Sequence, residues 1–109
     1  MKSHTQKLYE LTIKADEAFL SKHQHLSTSV GLMDKALRQK GIEAEAVTVD
    51  LISSTIRVIL VILDHNPNLV GVGIGSTATD DIELLSEHML DSLAIVDIVS
   101  VLEEHLVVQ

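Results

Sequence analysis

At 109 residues the chain has the length of one domain, and a hydrophobic fraction of 46% is enough for a packed core. Aromatics at 2% argue against nucleic-acid recognition by base stacking, and the lack of cysteine excludes disulfides, thiolate zinc sites and a cysteine nucleophile. The net charge of −8 is unevenly placed: from Val58 onward there are nine acids and no base, a distribution that repels phosphate backbones and attracts basic protein surfaces.

Taken in chain order, Met1-Lys2-Ser3-His4 leads into polar sequence without a secretory pattern. Ser3 and Gln6 resemble a capping box, and Leu8, Leu11, Ala15 and Phe19 follow at helical spacing, which predicts a first helix over 4–23. Ser27 or Thr28 can cap a second helix, with Val30, Met33 and Leu37 inward and Gly41 as its stop. Residues 44–63 suit either period. Asp50, Leu51, Ile52, Ile56, Ile59 and Leu63 fit a helix starting near Thr48 or Asp50, which is the reading preferred here. The competing reading is a β-hairpin joining 55–63 to 69–74 through Asn66-Pro67-Asn68. The run from Val58 to Leu63 is too short to span a bilayer, so a soluble cytoplasmic protein is expected.

The stretch Gly71-Val72-Gly73-Ile74-Gly75 lacks the lysine of a phosphate loop and the spacing of a dinucleotide fingerprint, and reads as a flexible loop. Asp80 followed by Glu83 can open a short helical turn. From Asp91 to His105 the periodicity is cleanest, with Val96, Val99, Leu102 and Leu106 on one face. The six histidines do not cluster as metal ligands, and no Ser-His-Asp arrangement is suggested, so neither a metal nor a catalytic residue is expected.

Leu90-Asp91-Ser92-Leu93, continuing through Val96, Asp97, Ile98, Val99 and Leu102-Glu103-Glu104, resembles the second helix of acyl carrier proteins. The resemblance covers about residues 48–109. It implies an all-α helical bundle in which 1–45 add two N-terminal helices to a carrier-like region at 46–109, the two forming one compact unit. It also implies that Ser92 carries 4′-phosphopantetheine taken from coenzyme A by a phosphopantetheinyl transferase. The arm would hold acyl or aminoacyl thioesters for partner enzymes with basic docking surfaces. Docking falls to Asp91, Leu93, Asp97, Glu103 and Glu104, and burial to Val96, Val99 and Leu102. A serine in a helix's first turn would suit the arm's phosphodiester, because free N–H groups and the helix dipole favour negative charge there.

Three features depart from the family. Met89 stands where a glycine is common, the segment from Val70 to Thr79 is longer than usual, and a last core helix is missing before Gln109. The N-terminal helices are expected to fill that gap, with Leu8, Leu11, Phe19, Val30, Met33 and Leu37 as the side chains. Two further readings stand beside the carrier. One is a non-catalytic helical adaptor or oligomerising interaction protein derived from a truncated carrier, a homodimer in its oligomeric form, in which Ser92 only caps a helix. The other is a small α+β ligand-binding domain built on the 55–74 hairpin.

Overall fold

The computed structural model describes residues 2–79 and 81–107. It overturns the all-α expectation: the chain is an α+β domain with a five-stranded antiparallel sheet in the order β1-β2-β3-β4-β5. Helix α1 (Ser3–Lys22) comes first, then β1 (Thr28–Met33), the short α2 (Lys35–Gln39), and the strands β2 (Ala44–Leu51), β3 (Ile56–Leu63), β4 (Leu69–Ser76) and β5 (Ile82–Met89). A 3-10 turn over Leu90–Ser92 leads into α3 (Ile95–Leu106). The resemblance to a carrier's helical bundle therefore fails as a fold assignment, and so does the division into an N-terminal helical extension and a helical carrier region.

Helix α1 matches its periodicity, since Leu8, Ala15 and Phe19 are fully buried, with Thr5 and Thr12 on the same stripe. Its N-cap is Lys2 without a side-chain cap, so Ser3 is the first helical residue and no capping box forms. The expected second helix is instead β1 and α2. Gly31 pairs with Thr48 inside a ladder running from Thr28↔Leu51 to Met33↔Ala46. Asp34 ends the strand and caps α2 by accepting from the Lys35 N–H at 2.6 Å. Gly41 then stops α2 at φ +82, a left-handed conformation that glycine adopts without strain.

The helix expected over 50–63 is overturned by the β2–β3 pair, in register from Ala44↔Leu63 to Asp50↔Arg57. The hairpin alternative describes the next turn correctly: β3 runs through the break at Asn66-Pro67-Asn68 into β4, with Val61 opposite Gly71 and Ile56 opposite Ser76. The glycine stretch is thus strand, not loop. The expected helical turn after Asp80 has its first residue outside the described residues, and Glu83 belongs to β5.

One face of the sheet carries the main core. Val47, Val49, Val58, Leu60, Ile62, Val70 and Val72 meet Leu8 and Phe19 of α1 and Ile98, Leu102 and Leu106 of α3. On the opposite face, Leu37 of α2 sits on Ala44, Ala46 and Ile59. Asp64, just past β3, ties the N-terminus and α2 to the sheet. Its carboxylate accepts from Arg38 Nη1 and Nη2, at 2.7 and 3.2 Å, and lies 3.2 Å from Lys2 Nζ. The hydrogen bond from Arg38, reinforced by Lys2, lowers the Asp64 pKa to about 2.

That shift has a sign. A carboxyl held below its ordinary value of about 4 contributes stability that is complete above that value and is lost as pH falls toward the folded-state pKa. Asp64→Asn should therefore lower the urea midpoint near neutral pH, with wild type and variant converging as pH drops from about 4 to about 2. Parallel midpoint-against-pH curves would show that the pair contributes nothing.

Candidate functional site

The structure does not assemble the residues expected to form a carrier's working face. Ser92 is exposed, but it lies in the 3-10 turn, two residues before Ala94, the N-cap of α3. Helix-dipole stabilisation of a phosphodiester at that hydroxyl therefore does not carry over, because the effect falls off outside the first turn. Leu93, expected to offer an apolar contact to a partner, is turned inward and only 7% exposed. Val96, expected inside, is 67% exposed. The buried stripe of α3 is Ile98, Val99, Leu102 and Leu106, so Ile98 takes the place given to Val96.

The acids expected to dock partners are partly engaged by the fold. Asp97 accepts from the Ala94 N–H at 2.8 Å and caps α3. Glu103 accepts from Nε2 of His23 at 2.9 Å, which lowers its pKa, and His23 in turn stacks on Phe19 with ring centroids 4.8 Å apart. This joins the end of α1 to α3. Asp91 meets Lys7 Nζ at 3.2 Å on the surface, and Glu104 is exposed, 4.0 Å from His105. Only Asp91, Ser92 and Glu104 of the six expected site residues remain at the surface without a role inside α3 or the core.

The search for chemistry elsewhere finds little. Among the described residues no group of three or more His, Asp or Glu side chains could hold a metal ion. Ser86 Oγ and His88 Nε2 stand 3.0 Å apart on β5, two residues apart and at the surface, with no carboxylate orienting the ring among the contacts of the described residues. Among the described residues Asp16 is the most buried carboxylate. Burial raises its pKa, and the Thr28 hydroxyl, placed 2.7 and 2.8 Å from its two oxygens, opposes that shift. It fastens α1 to β1. Among the described residues no helix is long and apolar enough to cross a membrane.

The distinctive surface is β5 and the bare half-face beside it. No residue of β5 is buried, and its outer edge is unpaired because β5 ends the sheet. Register places Met89, Glu87, Leu84 and Ile82 opposite Leu69, Gly71, Gly73 and Gly75. All these residues share the sheet face that carries α2; Gly75 and Ile82 line a cleft with Ala36 and Leu37 of α2, and Leu69, Gly71, Leu84 and Glu87 lie on the part that α2 leaves open. A β-bulge lies between Val72 and Gly73, where β5 carries one residue more than β4. Gly73 is what permits it. A Cβ there would sit inside the Glu83 carbonyl oxygen, with the carbonyl carbon at 3.0 Å and the Leu84 Cα at 3.1 Å.

The bulge helps to turn Leu84 outward at 58% exposure and Leu85 at 44%, near Met89 at 51%. Gly71 floors a shallow trough walled by Val61, Leu63, Leu69 and Leu84, with Glu87 on its rim. The trough encloses about 80 Å³, well short of the roughly 300–1,000 Å³ of a small-molecule pocket. Sequence reasoning missed this surface because it read Asp80 and Glu83 as opening a short helical turn. The one available signal was alternation of apolar and polar residues, and the bulge interrupts it at Leu84-Leu85.

Fold and surface together define a two-layer α+β domain with an open apolar edge strand. No protein-family model, no curated protein and no solved structure matches the chain.

Proposed function

We propose that this chain is a non-catalytic interaction module working through the β5 edge and the uncovered apolar face beside it. The observation that carries the reading is an end strand of eight residues with none buried, bearing Ile82, Leu84, Leu85 and Met89 in the open. An exposed strand edge with apolar side chains is costly to a protein that has no use for it, since it invites aggregation. The same arrangement serves for strand addition, in which main-chain hydrogen bonds supply affinity and alternate side chains supply selection.

The test is a selection of random displayed peptides on the folded chain, with Leu84→Ser/Leu85→Ser/Met89→Ser as counter-selection. Peptides that bind the wild type and ignore the variant are the expected result. Selection that yields no such class, with both proteins folded, would remove the reading.

A second reading, group carriage by phosphopantetheine on Ser92, is supported by the exposure of that side chain alone. It is decided by intact mass after incubation with coenzyme A and a promiscuous phosphopantetheinyl transferase. One phosphopantetheinyl group gained by the wild type and not by Ser92→Ala would establish it, and no gain would dismiss it.

A further inference from the structure

We infer that the partner of this surface is an extended protein segment in which apolar residues alternate with basic ones, added to β5 as a sixth antiparallel strand. The inference rests on the interaction-module reading and names its partner class. Its geometric basis is the free edge: about half of the N–H and C=O groups of an end strand point outward, unpaired and ready for another strand. On the uncovered face, a sixth strand would bring its apolar side chains against Ile82, Leu84 and Met89.

Charge selects among the possible occupants. Neither Glu83 nor Glu87 has an ion-pair partner among the described residues, whereas Asp50, Asp64, Asp91 and Glu103 are each engaged. The chain has no Lys or Arg after Arg57, so nothing within β4, β5 or α3 offsets the two glutamates. A second copy pairing edge to edge would bring four such glutamates together and would add two chains of net charge −8. Anionic lipid and nucleic acid meet the same repulsion. A basic–apolar strand that turns its apolar side chains toward Leu84 and Met89 carries its basic ones on the other face, beside Glu83, which pairs with Ile74 there. Glu87 lies on the apolar side, at the rim of the trough walled by Val61, Leu63 and Leu69, where it disfavours an acidic side chain.

The probes are capped peptides as long as the eight residues of β5, alternating valine with lysine, with glutamate or with threonine. Binding is followed by fluorescence anisotropy and by amide hydrogen exchange of the full chain. The lysine–valine peptide should bind at least about tenfold more tightly than the glutamate–valine peptide, and should weaken about tenfold between about 0.1 and 1 M salt. Exchange should slow at β5 and not at β1. In Glu83→Lys/Glu87→Lys, shown folded by circular dichroism, the peptide preference should invert.

Equal binding of the lysine and glutamate peptides would overturn the inference. So would protection at β1 alone, or a chain that is dimeric by itself with β5 already protected. If none of the three peptides binds while the display selection returns binders, the partner chemistry is wrong and the surface stands. If the selection also returns none, both fall.

Discussion

Phe19→Ala is expected to lower stability by about 3–5 kcal/mol, the range for emptying a buried aromatic site. A domain of this size commands only about 5–15 kcal/mol in all, so the variant should lie close to unfolding at ambient temperature. Phe19 is fully buried, packs in the core between α1, the sheet and α3, and supports His23, which is bonded to Glu103 on α3. One cavity therefore loosens both helices at once. Urea unfolding should show a much lower midpoint with little change in slope. Leu84→Ala is the comparison: its side chain is 58% exposed, and its effect should stay within about 0.5 kcal/mol. Comparable losses at the two positions would mean that β5 is packed in solution and not open.

Gly73→Ala should cost about 1–3 kcal/mol, because the new Cβ meets backbone atoms of Glu83 and Leu84 that no rotamer change can move aside. β5 must shift away from β4 in response. Hydrogen exchange should thus rise in β4 and β5 well before it rises in β2 and β3, and the lysine–valine peptide should lose its site. Gly71→Ala is the counterpart on the same strand. Its Cβ would lie 3.5 Å from Leu84 Cδ2, an ordinary contact, so stability should hold or improve slightly. A Gly73→Ala protein as stable as wild type, with β5 still protected, would show that the close crossing of β5 over β4 is absent.

Some of this architecture was legible in the residues alone. Leu8, Ala15 and Phe19 announce α1, because a helix lying on a sheet buries one stripe and leaves the other side wet. Gly41 and the break at Asn66-Pro67-Asn68 are backbone statements that hold whatever lies around them. A helix near 95–106 was legible for the same reason as α1. Its phase was not, since Val96 and Ile98 are equally apolar and only the position of the sheet decides which one faces inward. The concentration of acids beyond Val58 is a property of composition and needs no fold.

The strands were decided by tertiary structure. β3 is the central strand, with α1 and α3 on one face and α2 over part of the other, so both faces demand apolar residues and the alternation that marks a strand disappears into the run from Val58 to Leu63. β4 hides its alternation differently: every second residue is a glycine, which carries no side chain to show a face, and which β5 requires at Gly73 in order to cross so close. In β5 the bulge breaks the period at Leu84-Leu85. The likeness of residues 90–104 to a carrier helix failed for a related reason. A pattern of apolar and acidic residues specifies an amphipathic helix with a charged side, and what it packs against, helices or a sheet, depends on strands whose own period was masked.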